Sequence, residues 1–349
     1  MKPFLSVIVP CRNERAFLAQ CLDSILASDY PAARMEVLMV DGRSDDGTRA
    51  LIDQYVERDG RVRSVDNPAR TTPAALNRGI DAARGEIVAR VDAHAAIYPD
   101  YLSQCVSYLE NTSAANVGGC MHTVAQSDGP FAGPIVAAIT HRFGVGNSYF
   151  RIGSDEPRWV DTVFGGCWRR ELFDRIGRFN ERLDRSQDLE FSLRLKAAGF
   201  KTLLAPEIQS EYFARSDLRS FWRHNFLNGE WAVLPFVRSE IVPVRLRHLI
   251  PLLFTLAVAV GATAAPFSTW PLAAVAIPYT LANLAASAQV AWRERRAAYL
   301  FLMPIAFASL HLGYGSGSVS GVFKALREEF TCKPRWRALS RFSIIRKAS

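Results

Sequence analysis

The sequence predicts an α/β protein with a mostly parallel, twisted sheet and flanking helices, followed by apolar helices at the C-terminal end. Two short runs, 36–40 and 87–91, are apolar, rich in β-branched residues and bounded by turn residues, as buried parallel strands are. Helical patterns alternate with these runs, as they do in β-α-β units with right-handed crossovers. Charged residues become sparse after residue 247, which predicts a second region of different character.

Each element of the N-terminal region has a local signal. Ser44, Asp45 and Asp46 mark the start of one helix, because short polar side chains cap helix N-termini. Pro73 opens another helix. The stretch 116–158 is rich in glycine and polar residues, so we expect loops and short strands there. In chain order, the predicted strands are 5–9, 36–40, 62–65, 87–91 and an extended segment at 159–168, and the predicted helices are 16–28, 47–58, 73–84, 99–109, 170–176 and 186–198.

Apolar stretches dominate the C-terminal region. Two of them, 249–267 and 271–292, approach the roughly 20 apolar residues that cross a bilayer, and neither has the polar stripe of a soluble helix. A third, 299–323, is interrupted by Pro304 and by GYGSGSVSG, and we expect it either to span or to re-enter or lie along the interface. The predicted regions are therefore residues 1–240, a membrane region at 241–323 and a basic tail at 324–349.

Arginines flank the apolar stretches and predict their orientation. Arg245 and Arg247 precede the first stretch, and RERR at 293–296 follows the second. Because positive loops stay on the cytoplasmic side, this pattern predicts that the large N-terminal region faces the cytosol. Three spans would place the basic tail outside, so the same rule favours two spans and a third segment that re-enters or lies on the surface.

The net charge of +8 does not require a nucleic acid partner. Much of the positive excess is in the tail, beside the apolar stretches, where attraction to anionic lipid headgroups explains a basic segment. We therefore expect a membrane partner and no nucleic acid. The six cysteines have no CxxC spacing, which indicates free thiols in a reducing compartment.

Three carboxylates follow or flank apolar runs: Asp41 after VLMV, Asp92 in IVARVDAH and Asp188 in SQDLEF. Ligands of open α/β sheets bind beyond the carboxyl ends of the strands. Acids at these positions therefore predict a ligand site. For Asp188, near a helix start, a helix cap is the alternative.

Five motifs occur in a fixed order along residues 2–229, namely SVIVPCRNE, VDGRSDDGT, ALNRGIDAARGE, RVDAH and SQDLEFSLRLKAAGF. In this order they resemble family 2 glycosyltransferases of the GT-A fold. The resemblance implies a nucleotide-diphospho-sugar transferase fold, a nucleotide-sugar donor and inversion at the anomeric carbon. The donor-binding residues that it implies are Pro10, Arg12, Asn13, Glu14, Asp41, Ser44, Asp46, Asn77, Arg90 and Asp92.

Part of this donor site departs from the family pattern or has a simpler explanation. Asp41 is followed by Gly42, where many members have a second acid. The identity of the nucleotide base is therefore less secure than the fold. Turn and N-cap roles remain an alternative for Ser44 and Asp46.

RVDAH has the position of the family's DxD motif, which implies a divalent cation, Mn²⁺ or Mg²⁺, held by Asp92 and His94. Residues two apart lie on the same side of an extended segment, and a cation neutralises a diphosphate as it leaves. An imidazole in place of the second carboxylate favours Mn²⁺ over Mg²⁺. A structural role for His94 is the alternative.

SQDLEF has the position of the family's general base, so the resemblance assigns that role to Asp188. A sugar or lipid hydroxyl is a poor nucleophile until a carboxylate takes its proton. On the acceptor side, the resemblance implies the small-residue segment Gly165, Gly166 and Cys167.

The segment FWRHNFLNGEW also concerns the acceptor. Processive synthases carry Gln-x-x-Arg-Trp after the base, and Leu227 and Glu230 have the Gln and Arg positions here. The missing signature implies transfer of a single sugar. Arg223 and His224 are expected near the diphosphate or the bilayer on the acceptor side, with ordinary solvated charge as the alternative.

The RVDAH variant and the C-terminal HLGYGSGS are similar to succinoglycan-type exopolysaccharide glucosyltransferases of bacteria. This resemblance implies UDP-glucose as the donor and an undecaprenyl diphosphate-linked glycan as the acceptor. It also implies the bacterial inner membrane, with the catalytic domain facing the cytosol. Two alternatives stay open: a dolichyl-phosphate-type transferase that uses polyprenyl phosphate itself, and a non-catalytic nucleotide-sugar-binding assembly protein.

Overall fold

The computed structural model describes residues 1–239 and 246–331. Its strands are β1 (Leu5–Cys11), β2 (Met35–Asp41), β3 (Val62–Asp66), β4 (Ile87–Arg90), β5 (Ala95–Ile97), β6 (Ala114–Ala125), β7 (Arg158–Val160), β8 (Cys167–Arg169) and β9 (Lys201–Ala214). The helices of the N-terminal region are α1 (Arg15–Leu26), α2 (Thr48–Arg58), α3 (Thr72–Ala82), α4 (Tyr101–Asn111), α5 (Ala132–Thr140), α6 (Arg142–Val145), α7 (Tyr149–Ile152), α8 (Leu172–Ile176), α9 (Gln187–Ala197), α10 (Leu218–Val233) and α11 (Pro235–Arg238). Three longer helices follow: α12 (Leu246–Ala264), α13 (Trp270–Arg293) and α14 (Tyr299–Thr331).

The described strands form one sheet of mixed direction. Its order is β3-β2-β1-β4-β8-β6-β9-β5, with β7 beside β9. β1 pairs in parallel with β2 and β4, and β2 pairs in parallel with β3. β8 runs antiparallel to both of its neighbours, β4 and β6. The α/β prediction is confirmed, and the parallel half is the part that the sequence pattern indicated.

Both faces of the parallel half are covered, which explains its continuous apolar runs. Every residue of β2 is buried. In β1, Val7 and Val9 belong to one hydrophobic cluster and Ile8 belongs to another. A strand with two buried faces needs apolar side chains at successive positions.

Glu36 is a buried acid near the amino end of this half. It accepts hydrogen bonds from Ser6 Oγ at 2.7 Å, Arg84 N at 2.7 Å and Arg63 Nη1 at 2.6 Å. Burial alone would raise the pKa of Glu36, but these bonds outweigh it and lower the pKa. Glu36 therefore has a structural role at this end of the sheet.

The stretch 116–158 differs from the expectation of loops and short strands. It contains most of the 12-residue strand β6 and the helices α5 to α7. β6 pairs in parallel with the 14-residue strand β9, which the sequence analysis did not predict. Because β6 and β9 are far apart in the sequence, local sequence patterns do not predict their pairing.

The C-terminal helices agree only in part with the expected spans. Helices Trp270–Arg293 and Tyr299–Glu328 are long and apolar enough to cross a membrane, with mean hydropathies of 1.3 and 1.2. The apolar helix at His248–Ala264, which is part of α12, is shorter than these two helices. α14 is continuous, although its proline and glycines had predicted an interruption. The tail residues 332–349 lie outside the described residues.

α14 packs directly on the N-terminal region through α10. A Cβ at Gly229 would lie 1.8 Å from the carbonyl oxygen of Tyr314, and a Cβ at Gly317 would lie 1.9 Å from that of Phe226. Ser318 Oγ donates to the Gly229 carbonyl at 3.1 Å. Small residues permit two helices to approach this closely. The glycines of α14 therefore serve a helix contact and not a break.

An ion pair strengthens the same contact. Lys324 Nζ lies 2.7 Å from the carboxylate of Glu230, whose side chain is 6% exposed. Ser320 Oγ donates to the same carboxylate at 3.1 Å. Lys324, which was expected in a headgroup-facing tail, is exposed but joins α14 to α10 through this ion pair.

Candidate functional site

The carboxyl ends of β1 and β2 meet at one edge of the sheet, where Cys11 lies beside Asp41. Asp41 is 1% exposed and accepts hydrogen bonds from Ser44 N at 3.2 Å and Ser44 Oγ at 2.6 Å. Arg49 Nη1 lies 3.5 Å from its second oxygen. These contacts fix the carboxylate at the strand end, which is the usual place for a ligand in such sheets.

The loops after β1 and β2 are joined by hydrogen bonds. Asn13 N donates to Ser44 Oγ at 2.9 Å. The Asn13 side chain also exchanges two bonds with Asp45, at 2.8 and 3.0 Å. Glu14 N donates to Thr48 Oγ1 at 2.9 Å. The two loops therefore form one preassembled wall of the site.

Ser44 and Asp46 perform the turn roles that were the alternative to donor binding. Asp46 Oδ1 accepts from Thr48 N at 2.9 Å and Thr48 Oγ1 at 2.6 Å, and Oδ2 accepts from Arg15 N at 3.2 Å. Burial would raise the pKa of Asp46, but these bonds lower it. Both residues thus hold the wall in shape.

Three other predicted donor residues have different surroundings. Pro10 is half-buried in β1, and the Arg12 side chain is exposed beside Gly42. Asn77 is buried in α3 and donates from Nδ2 to the Phe179 carbonyl at 3.0 Å. Asn77 therefore fastens α3 to the segment that leads to α9.

Arg90 and Asp92 form a bidentate ion pair where β4 ends. Arg90 Nε and Nη2 donate to the two Asp92 oxygens at 2.7 and 3.2 Å. Burial would lower the pKa of Arg90, but the charges of Asp92 and Asp188 raise it. Burial would raise the pKa of Asp92, but Arg90 and His94 lower it. The pair is held in its charged form, and Asp188 lies within electrostatic reach of it.

His94 is oriented by Glu14. His94 Nδ1 lies 3.1 Å from Glu14 Oε1, and the ring meets Tyr212 edge-on with centroids 5.4 Å apart. Burial would lower the pKa of His94, but the bond to Glu14 and the charge of Asp92 raise it. Among the described residues, His94 Nε2 has no partner. A carboxylate on one ring nitrogen commonly orients a metal-binding histidine.

The residues present fit a divalent cation that is shared with a ligand. Asp92 offers a carboxylate and His94 an imidazole, a donor pair that suits Mn²⁺. Within residues 1–239 and 246–331, no group of three or more His, Cys, Asp or Glu side chains forms a complete metal site. The remaining ligands would come from phosphate oxygens and water, as they do at other phosphate-bound cations.

Asp188 is exposed at the start of α9. Ser186 just before it has φ 63°, a conformation that is uncommon outside glycine and concentrates at functional sites. Asp188 Oδ1 accepts a hydrogen bond from Leu189 N at 2.9 Å. This bond is part of the helix-cap role that was the alternative for Asp188. The nearby Glu190 is bound by Arg194 at 3.0 and 2.9 Å and is buried. Of these two acids, Asp188 is the one that a ligand can reach.

The glycine segment lies beside the ion pair. Gly166 O accepts from Arg90 N at 2.9 Å, and a Cβ at Gly165, where φ is +66°, would lie 2.7 Å from the Arg90 carbonyl oxygen. Cys167 differs from the expectation of an acceptor-side residue. It is 1% exposed and packs in the same hydrophobic cluster as Cys105.

Three arginines that the sequence analysis missed surround the predicted residue His224. Arg151 of α7 stacks on Tyr212, with Cζ 5.4 Å from the ring centroid. Burial and the charges of Arg185, Arg215 and Arg151 lower the pKa of His224 to about 3. The arginines come from separate elements, so no local sequence signal identifies them.

An apolar groove of about 650 Å³ lies between α10 and α14. Trp222 of α10 and Ile305 of α14 line it, with Arg219 as its charged residue. Arg223 is exposed on α10. One helix thus contributes both to this groove and, through His224, to the arginine-rich region.

Several known proteins are similar to this chain in sequence or in fold. Residues 6–177 match the family described as Glycosyl transferase family 2. The succinoglycan biosynthesis protein ExoA of Rhizobium meliloti (strain 1021) is 29% identical over 249 residues, 70% of this chain and 74% of that protein. The dolichyl N-acetyl-alpha-D-glucosaminyl phosphate 3-beta-D-2,3-diacetamido-2,3-dideoxy-beta-D-glucuronosyltransferase of Methanococcus voltae is 27% identical, over 65% of this chain and 72% of that one.

A solved structure shows the same fold. The mannosyltransferase PcManGT from Pyrobaculum calidifontis, in complex with GDP-Man and Mn²⁺, superimposes with a TM-score of 0.58 at 22% identity. The similarity covers 93% of this chain and 88% of that one. It therefore includes the C-terminal helices as well as the sheet.

Proposed function

Since this chain is a glycosyltransferase of family 2 with the GT-A fold, we propose that it transfers one glucose from UDP-glucose to an undecaprenyl diphosphate-linked glycan. Transfer inverts the anomeric carbon. The observation that carries the proposal is the exposed Asp188, whose charge acts on Arg90 of the Arg90–Asp92 pair. A base, a diphosphate site and a membrane-facing element are the parts that such a reaction needs.

On the donor side, the chain supplies an assembled wall. Asp41, buried and held by Ser44, supports the wall that receives the nucleoside. Asp92 and His94 would hold a divalent cation, with Mn²⁺ favoured, and such a cation would supply the charge that neutralises the leaving diphosphate. Glu14 keeps the His94 ring in position through the bond at 3.1 Å. PcManGT, whose structure was solved with Mn²⁺, supports this assignment.

On the acceptor side, Asp188 takes the proton from the attacking hydroxyl. The hydroxyl approaches the anomeric carbon on the face away from the diphosphate, so one displacement inverts the configuration. Gly165 and Gly166 leave room for the acceptor sugar beside the ion pair.

The acceptor is lipid-linked and the protein works at the bacterial inner membrane, with the catalytic domain in the cytosol. α13 and α14 are apolar and long enough to span, and α14 packs on α10 next to the site. The relative ExoA is named for succinoglycan biosynthesis, which supports a polysaccharide product. The apolar groove beside Trp222 suits the isoprenoid chain of such a lipid.

The test uses the full chain in lipid nanodiscs with radiolabelled UDP-glucose and Mn²⁺. We expect label in the lipid fraction when a glycan-primed undecaprenyl diphosphate is supplied, and none after chelation of the metal. Failure to label any lipid with the primed acceptor would contradict the proposal. The Asp188→Asn variant is assayed at the same protein concentration as a control. Label that remains with this variant comes from bound donor and not from enzymatic transfer.

A second candidate is transfer to polyprenyl phosphate itself. The Methanococcus voltae relative favours the first candidate instead, because its name specifies a dolichyl phosphate acceptor that already carries N-acetylglucosamine. In the same assay, label on undecaprenyl phosphate without any primer would support this candidate over the first.

A further inference from the structure

Three arginines gather around His224, between the RVDAH segment and α10. We define the cation cluster as Arg151 of α7, Arg185 in the segment before α9 and Arg215 after β9, which lie around the neutral His224 of α10. Arg185 Nη1 donates to Asn228 Oδ1 at 2.8 Å. Asn228 lies one helical turn from His224, so the two side chains share a face of α10. Arg185 is thereby brought next to His224.

Tyr212 connects the cation cluster to the predicted metal ligand. Arg151 stacks on the Tyr212 ring at 5.4 Å, and the His94 ring meets the same tyrosine at 5.4 Å. The cation cluster therefore begins one aromatic ring away from the diphosphate site and extends toward the helix that packs on α14.

Asp184 and Asp217 interact with Arg185 and Arg215 through charge at a distance, without forming ion pairs. Among the described residues, none of the three arginines of the cation cluster lies within ion-pair distance of a carboxylate, in contrast to Arg90. Arg151 Nη1 and His224 Nδ1 are buried without a hydrogen-bond partner. Burial lowers the pKa of Arg151 and of Arg185. Arg215 is exposed, but the charges of the partly buried Arg151 and Arg185 are costly unless a ligand supplies the opposite sign.

We infer that the cation cluster binds the phosphate or diphosphate group of a polyprenyl-linked acceptor. This inference deepens the proposed function and rests on it for the reaction. The donor diphosphate would already be served by Asp92 and His94, which lie on their own side of Tyr212. The cation cluster instead lies at His224 of α10, and α10 lines an apolar groove with α14. Arginine is well suited to such a group because its donors match phosphate oxygens.

The experiment compares undecaprenyl phosphate with undecaprenol, using the full chain in micelles of a neutral detergent. The two lipids differ only in the anion. The wild-type protein should bind the phosphate at least about tenfold more tightly than the alcohol. Arg151→Gln and Arg185→Gln should remove most of this preference and leave UDP–Mn²⁺ affinity unchanged.

Two controls address folding and nonspecific charge. Arg142→Gln removes an exposed arginine from the adjacent helix α6 and should keep the phosphate preference. Arg185→Lys retains the charge and should keep most of it, which distinguishes lost charge from a disturbed fold.

Equal binding of both lipids by the wild type would overturn the inference. Weaker UDP–Mn²⁺ binding with an intact phosphate preference would also overturn it, because the cations would then belong to the donor. The binding assay involves no sugar transfer. Phosphate-selective binding without transfer from any nucleotide sugar would refute the proposed function alone, and transfer without such selectivity would refute this inference alone.

Discussion

The donor side and the acceptor side of the cleft differ in how they satisfy their polar groups. On the donor side, Asp41 is held by Ser44, and Asp92 by Arg90 through two bonds. On the acceptor side, buried nitrogens of Arg151 and His224 have no partner in the described part of the chain. The donor-side carboxylates are paired within the chain, whereas the acceptor side carries positive charge that no ion pair among the described residues neutralises.

This difference predicts how each side contributes to the free energy of ligand binding. A preassembled wall loses little conformational freedom when a donor binds, which favours affinity. The acceptor side gains most from a ligand with an anionic group, because that ligand offsets the partly buried charges of Arg151 and Arg185. Mutations should therefore have distinct effects on the two sides.

The largest expected effect is on the base. Asp188→Asn should lower the transfer rate by about 10²–10⁴-fold, because the acceptor hydroxyl keeps its proton, with UDP–Mn²⁺ affinity unchanged. Rates from the labelled-lipid assay and affinities from calorimetry measure the two quantities. The matched control is Asp174→Asn, which also removes an exposed acid from a first helical turn. Equal loss in both variants would assign Asp188 a capping role.

The second-largest effect is expected at the Arg90–Asp92 ion pair. Asp92→Asn leaves Arg90 buried without its partner, and breaking a buried pair costs about 3–5 kcal/mol of folding free energy. UDP affinity should also lose its dependence on Mn²⁺. Thermal unfolding without ligand and UDP titration with and without chelator test both effects. If the UDP affinity of this variant depended on Mn²⁺ as it does in the wild type, Asp92 would not be a ligand of the cation.

A smaller effect is expected at the glycine segment. Gly165→Ala places a Cβ 2.7 Å from the Arg90 carbonyl oxygen at φ +66°, which should cost about 1–3 kcal/mol of stability. Gly60→Ala is the control, since nothing lies within 4 Å of its Cβ position. Denaturant unfolding of both variants gives the comparison, and equal midpoints would show that the segment moves freely.

The smallest effect is a pH dependence on the acceptor side. The folded-state pKa of His224 is about 3, against 6.5 for an unperturbed histidine. Between these values only the unfolded chain takes up a proton, so this residue reduces stability as pH falls below 6.5, by at most about 1.4 kcal/mol per unit. His224→Gln should show a shallower loss between pH 7 and pH 5. The exposed His122→Gln serves as the control, and identical slopes in all three proteins would count against a buried neutral His224.

The donor side was the more predictable of the two because its residues follow strand ends. Asp41 and Asp92 each come directly after an apolar run, and parallel strands bring such ends to one edge. The arginines of the cation cluster follow no common pattern. They come together through the long pairing of β6 with β9 and the packing of α10, which depend on contacts between distant parts of the chain.

Two further differences have physical reasons. Cys167 was expected beside the acceptor with its glycine neighbours, but β8 begins at this residue and turns the side chain into the core. The glycines of α14 were interpreted as helix breakers. In the structure they provide the close approach to α10, a role that depends on a partner helix and cannot be inferred from one segment alone.

The central claim is a single displacement, with Asp188 activating the acceptor on the face of the sugar away from the diphosphate. The anomeric configuration of the product tests it most directly. Nuclear magnetic resonance of the glucosylated lipid, made from α-linked UDP-glucose by the full chain, should show a β-linkage. An α-linkage would require a second nucleophile or attack from the diphosphate side, and would contradict the mechanism.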